Sequence, residues 1–268
     1  MNSADLRFLG LRTVPFTKEV ADADLWLPSS KVALVDELCD AINARESVLL
    51  VGDSGSGKTC VLRALRHRLT PSTRRLTYCS NVTLGRRDFY RQLCSALGLS
   101  TKATAAAVFA AITADIENLT KERTHPVFVL DEAHLMHQDV LDHLHILMNF
   151  DWDSQALLSL VLVGLPELGD RLRLRRNSSL YSRLHHRLTL EPLSPEDTAE
   201  YLRRRLEQAG AKGEILTGET MALIHEAASG HLRDVDRITT RALRTAARAK
   251  SKLVERHHLL DVTRENEA

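Results

Sequence analysis

The sequence predicts an α/β fold: a five-stranded parallel sheet flanked by helices on both faces, followed by a small all-helical region. Two observations carry this reading. From residue 47 to about 191, short apolar runs alternate with helical stretches, the pattern of a parallel sheet whose strands are joined by helices. After Leu193 the strand signals stop and only helix-period patterns remain.

Taken in order, residues 1–46 precede the sheet. They include Thr13-Val14-Pro15-Phe16 and Leu27-Pro28-Ser29-Ser30, which lead into a helix predicted over 31–45 with Val32, Val35, Leu38 and Ile42 at helical spacing. Strands are predicted at 47–51, 76–80, 127–131, 157–163 and 187–191, and helices at 58–69, 87–97, 103–119, 138–149 and 166–174. The run from Val127 to Leu130 is apolar throughout, as a strand buried on both faces requires. Ser194 then reads as an N-cap, with Pro195 in the first helical position and Glu196 and Asp197 in the first turn. Helices follow at 195–208, 218–228, 232–248 and 255–263. The expected organisation is an extension with its lead-in helix (1–46), a sheet domain (47–193) and a helical lid (194–268).

Composition narrows the class. The 268 residues are 44% hydrophobic, 26% charged and 4% aromatic, ordinary for a globular chain able to bury one core and a smaller satellite. No apolar run is long enough to span a membrane and the start lacks a signal-peptide pattern, so the expectation is a cytoplasmic protein with no membrane partner. Cys39, Cys60, Cys79 and Cys94 show no paired spacing, which suggests neither a zinc site nor a disulfide framework. A net charge of +1 argues against a wholly basic nucleic-acid binder and leaves room for local basic patches.

Two motifs carry chemistry. Gly52, Asp53, Ser54, Gly55, Ser56, Gly57, Lys58 and Thr59, continued by Cys60, form a phosphate-binding loop between a predicted strand and a predicted helix. The glycines let the backbone turn tightly enough to aim N–H groups at phosphate oxygens, and the helix N-terminus adds its partial positive charge. Lys58 would reach the outer phosphates and the Thr59 hydroxyl would coordinate Mg²⁺. The second motif, Asp131-Glu132, is delivered to the carboxyl end of the apolar strand, where ligands bind in open α/β sheets. Asp131 would hold Mg²⁺ through its water shell and Glu132 would polarise the attacking water. A plain helix-capping carboxylate pair is the alternative. Residues 131–134 also spell Asp-Glu-Ala-His, the signature of a helicase class whose other motifs are not visible.

Phosphate loop, Asp-Glu strand and trailing lid together resemble the AAA+ class of ATPases. Within it, residues 8–16, 27–30, 130–134 and 163–168 are similar to the ExeA-like group, which includes a secretion ATPase and the transposition ATPases TniB and TnsC. The resemblance covers nearly the whole chain. It implies ATP hydrolysis at subunit interfaces, completed by an arginine from the neighbour that precedes the last strand. Arg183 fits that place best and Arg187 second. Arg233, in Gly230-His231-Leu232-Arg233, matches the lid arginine that senses nucleotide. One departure stands out: the tip of the fourth strand, which carries a polar water-orienting residue in the class, reads Gly164-Leu165 here. Slow hydrolysis, or another group in that role, is the implied consequence.

The transposition members resemble one another in forming ATP-dependent helical assemblies around double-stranded DNA. By that resemblance, Arg86 and Arg87 after the second strand, with Lys102 on a later loop, would meet backbone phosphates irrespective of sequence. The implied partners are DNA, a transposase or integrase, and further copies of the chain in a ring or filament. An ATPase that assembles a secretion or envelope complex, or a general DNA-remodelling ATPase, are the alternatives. Arg233, Arg237, Arg241, Arg244 and Arg248 share one helix face; Arg233 is better explained by nucleotide, and the other four read as a solvated face, a subunit contact or a DNA surface. Residues 171–187 carry six arginines and no acid, consistent with an interface near a neighbour's phosphates. The pairs His134/His137 and His143/His145 lack metal-ligand spacing and read as surface or partner-contact residues.

Overall fold

A computed structural model describes residues 1–259. Its sheet consists of β1 (Ser47–Gly52), β2 (Arg74–Cys79), β3 (His125–Leu130), β4 (Ser159–Gly164) and β5 (Leu184–Leu190), in the order β2-β3-β4-β1-β5 with every pairing parallel. The helices are α1 (Ser3–Phe8), α2 (Ser29–Asn43), α3 (Lys58–Arg68), α4 (Arg86–Ala96), α5 (Ala105–Lys121), α6 (Gln138–Leu147), α7 (Pro166–Arg173), α8 (Ser178–Tyr181), α9 (Pro195–Gln208), α10 (Gly218–Ala228) and α11 (Leu232–Arg248). The end of the helix predicted at 255–263 lies outside the described residues, while 256–259 are helical.

The molecule divides into two compact units. The first comprises Val32–Gly52 and Leu62–Leu190 and contains the whole sheet. Every residue of β3 and β4 is buried, because strands with helices on both faces present no solvated side. The edge strand β5 instead alternates, with Leu184, Leu188 and Leu190 buried and its histidines turned outward. This explains why an apolar-run criterion places it late, at 187–191. The strand starts earlier, at Leu184, and pairs along its length with β1. The core combines Phe128, Leu130, Leu160 and Leu162 of the central strands with Phe89, Leu93, Ile112, Ile116, Leu141 and Leu144 of the covering helices. The helix predicted from 103 begins at Ala105 because Thr104 caps it, its hydroxyl accepting the N–H of Ala107.

The second unit comprises Met1–Lys31, Asp53–Val61 and the chain from Glu191 onward. Its core is made by α9, α10 and α11 with the N-terminal segment: Leu202, Ile224, Val235, Ile238 and Leu243 are buried with Leu9, Leu11 and Phe16. Ser194 caps α9 as its sequence predicts, its hydroxyl accepting the N–H of Asp197 at 3.1 Å. Helix α1 escapes sequence reading because it is short and buries none of its residues. A reciprocal Asn2–Asp5 capping pair holds its start.

Candidate nucleotide-binding site

The carboxyl ends of all five strands share one edge of the sheet. There Val51 pairs with Gly164, Leu130 with Leu162, and Cys79 with Leu130. The chain leaves β1 at Gly52 directly into the loop 53–57, and α3 opens at Lys58, the strand–loop–helix order the motif needs. Gly55 and Gly57 take φ angles of +84° and +103°, a region that side chains with a Cβ rarely adopt. Among the described residues the N–H groups of Gly55, Gly57 and Thr59 have no hydrogen-bond partner, and the buried Ser56 hydroxyl has none either. Unsatisfied donors gathered on a glycine loop at a helix N-terminus suit a polyphosphate. The Lys58 ammonium donates to the Asp53 carbonyl at 2.9 Å, which folds the side chain back over its own loop.

The lid arginine meets the same loop. The backbone N–H of Arg233 donates to the Gly55 carbonyl at 3.3 Å, and its guanidinium donates to the Ser54 hydroxyl at 3.0 Å. His231 lies 3.7 Å from the Asp53 carboxylate. The loop residues and Arg233 are therefore brought together. The loop has a further anchor absent from the sequence prediction. Lys31, in the first turn of α2, is 4% exposed and donates to the carbonyl of Ser56 at 2.6 Å and of Glu191 at 3.2 Å. Burial lowers its pKa to about 8, against an opposing pull from Cys60 and Asp197.

At the end of β3, Asp131 is 5% exposed and both its oxygens are engaged. Oδ1 accepts the N–H of Glu132 at 2.9 Å and Oδ2 accepts the Tyr78 hydroxyl at 2.7 Å. Partial burial and this bond to Asp131 push the Tyr78 phenol well above its ordinary pKa. Glu132 sits in the left-handed region at φ 55° and ψ 32°, a costly conformation for a residue with a Cβ, and its side chain is half-exposed. An aspartate fixed by two donors beside a half-exposed carboxylate suits the division of roles between a metal-water ligand and a base.

His134 corrects the surface reading of the histidines. Its side chain is 14% exposed, with Nδ1 3.6 Å from Oε2 of Glu132, and it accepts the N–H of Leu165 at 3.4 Å. A Cβ on Gly164 would come within 3.3 Å of that nitrogen, so the glycine at the tip of β4 makes room for the ring. The apolar tip thus has a polar neighbour supplied by the adjacent loop. His143 is half-buried, its Nδ1 2.9 Å from the Tyr90 hydroxyl. Among the described residues no cluster of metal-binding side chains is found.

Arg183, which follows the short helix α8, donates to the Asp153 carboxylate at 2.6 Å, and Arg187 stacks over the Tyr181 ring at 4.0 Å. Arg86 and Arg87 are exposed at the start of α4. They line a groove of about 540 Å³ with Tyr90, Phe109, Asp139 and His143. Lys102 is exposed on the loop before α5 and is not among the residues lining that groove. On α11, Arg233, Arg237, Arg244 and Arg248 are exposed while Val235, Ile238 and Leu243 are buried. No helix of the described residues is long and apolar enough to cross a membrane.

Residues 40–172 match the model of the AAA domain family. The chain is 34% identical over 210 residues to the general secretion pathway protein A of Aeromonas hydrophila. The matched region is 77% of this chain but only 38% of that relative. Among solved structures, the Aeropyrum pernix ORC1 protein in complex with DNA superposes with a TM-score of 0.70 at 22% identity, over 96% of this chain and 69% of that one. Cdc6p from Pyrobaculum aerophilum gives 0.74 at 16% identity over 94% and 70%. The RuvB branch-migration motor of Thermotoga maritima gives 0.55 at 17% over 97% and 73%. At these identities the likeness is one of fold.

Proposed function

We propose that this chain, an AAA+ P-loop NTPase by fold, is an ATPase whose ATP-loaded form assembles with further copies of itself on double-stranded DNA and thereby regulates transposition. The observation that carries the nucleotide half is the loop itself: unpartnered N–H groups at Gly55, Gly57 and Thr59, Lys58 folded over them, and Arg233 bonded to the same loop. In this reading the loop and Lys58 hold the phosphates, while Thr59 and Asp131 hold Mg²⁺, which neutralises phosphate charge when bound. Glu132 takes the proton of the attacking water. Arg183 serves the neighbouring subunit's site, so that nucleotide state and assembly report on each other. Arg86 and Arg87 meet DNA phosphates, supported by their exposure at the start of α4.

The second reading is an ATPase that assembles a secretion complex. It is favoured by the 34% identity to general secretion pathway protein A, of whose length this chain spans little more than a third. One measurement separates the two: ATP turnover and sedimentation with and without duplex DNA at moderate salt. Turnover and assembly that rise with any duplex, regardless of sequence, support the transposition reading. DNA-independent behaviour at every salt concentration overturns it in favour of the secretion reading.

A further inference from the structure

Lys31 is a costly residue where it stands. A lysine ammonium that is 4% exposed has lost its water, and among the described residues no carboxylate lies within ion-pairing distance of it. It also sits in the first turn of α2, where a cation opposes the helix dipole. Two backbone carbonyls are its partners: Ser56 within the phosphate loop and Glu191 at the entry to the helical lid. Gly57 belongs to the same cluster, since a Cβ there would stand 3.7 Å from the Lys31 ammonium.

We propose that Lys31 is a positioning residue for nucleotide: by drawing the Ser56 carbonyl outward it keeps the loop's N–H groups turned toward the phosphates. The geometry follows from peptide planarity. The carbonyl of Ser56 and the N–H of Gly57 belong to one rigid unit and point in opposite directions. Fixing the carbonyl on Lys31 therefore fixes the direction of the Gly57 donor. The same ammonium holds the Glu191 carbonyl, so the loop and the residue that follows β5 share one anchor. A polyphosphate on the loop also adds negative charge near this buried cation, which among the described residues has no carboxylate within ion-pairing distance. The inference rests on the nucleotide reading of the loop given above.

The test is equilibrium binding of ADP and ATP by the full chain, with melting temperature measured alongside. Lys31→Met removes the donor, and Lys31→Gln keeps an N–H donor without the charge. A charge-assisted hydrogen bond supports an expected loss of about tenfold or more in affinity for both nucleotides in Lys31→Met. Lys31→Gln should recover most of that affinity, and the nucleotide-free melting temperature should not fall in either variant. Unchanged affinity in Lys31→Met overturns the proposal, as do equal losses in Met and Gln. If Lys31→Met does not fold, Lys31→Gln decides alone: near-parent affinity upholds the proposal and a tenfold loss overturns it. A parent chain that binds no nucleotide, or a Lys58→Ala variant that binds as well as the parent, would instead bring down the nucleotide reading.

Discussion

Asp153 holds the guanidinium of Arg183 at 2.6 Å, from a turn in which Asp151, Trp152 and Asp153 all have left-handed φ angles of 47°, 58° and 65°. The side chain proposed to complete a neighbour's site is thus tied down within its own subunit. The tie is weak: Asp153 is half-exposed, and pairs of that kind contribute roughly 0–1 kcal/mol. An arginine placed on a transferring phosphoryl group is worth about 10³-fold or more in rate, so on the proposed assignment the transition state gains more from Arg183 than Asp153 does. Arg183→Ala should lower turnover about 10³-fold at protein concentrations that support assembly, with ATP affinity of the dilute protein unchanged. Asp153→Asn should lower the protein concentration needed for half-maximal turnover. Steady-state assays across a concentration series read both.

Glu132 is left with a half-exposed carboxylate while each oxygen of Asp131 already accepts one hydrogen bond, from Tyr78 and from the backbone. Glu132→Gln should keep ATP binding and lose turnover by about 10²–10⁴-fold, the range for removing a general base. A long-lived ATP-bound assembly should accumulate in sedimentation. Turnover at the parent rate would take Glu132 out of the reaction.

The imidazole of His134 occupies the space beside the apolar tip of β4, accepting from Leu165 N–H and facing Glu132. His134→Leu removes the acceptor and should reduce turnover about tenfold with nucleotide affinity retained, the scale of one broken hydrogen bond. His134→Asn restores an acceptor near the Nδ1 position and should recover most of the rate. Stopped assays at saturating ATP give the comparison.

The parts of this site that are legible in the sequence are those whose chemistry is local. Gly52–Thr59 and Asp131-Glu132 are contiguous runs whose backbone geometry follows from neighbours, and the strand and helix order around them follows from apolar periodicity. Lys31, Tyr78 and His134 are not legible in the sequence as neighbours of the candidate site, because each makes its contact across the fold. Lys31 meets Ser56, Tyr78 meets Asp131 from the adjacent strand, and His134 meets the end of β4. Only strand order and register place Tyr78 beside β3, and neither is written in any one segment. The Glu132 kink is invisible for the opposite reason: glutamate gives no signal for a left-handed φ.

Asp236 on α11 accepts the Tyr201 hydroxyl at 2.6 Å, and burial raises its pKa to about 6 despite that bond and the charges of Arg205 and Lys18. A carboxyl harder to ionise in the folded than in the unfolded chain favours folding while it is protonated. That contribution is complete below the ordinary value of 3.8 and is lost as pH rises to about 6. Asp236→Asn keeps the acceptor and cannot ionise. Its stability relative to the parent should therefore rise between about pH 4 and about pH 6 and stay level above, as read from urea midpoints. A difference that is flat across that window would mean Asp236 is not buried in solution.

Arg86 and Arg87 carry exposed cations at the N-terminus of α4, where the helix dipole disfavours them, and their groove also contains Asp139, whose carboxylate accepts the Arg86 N–H. Pairing with the acid accounts for the backbone of Arg86 but not for two guanidinium groups in solvent. If they meet DNA phosphates, changing both to Glu weakens binding uniformly across sequences. It also flattens the plot of log affinity against log salt by about 0.9 for each phosphate no longer neutralised. Lys102→Glu, away from the groove, tests whether the basic surface extends to the loop before α5. Equal slopes for parent and the double variant would make Arg86 and Arg87 ordinary surface charges and would leave the secretion reading the stronger one.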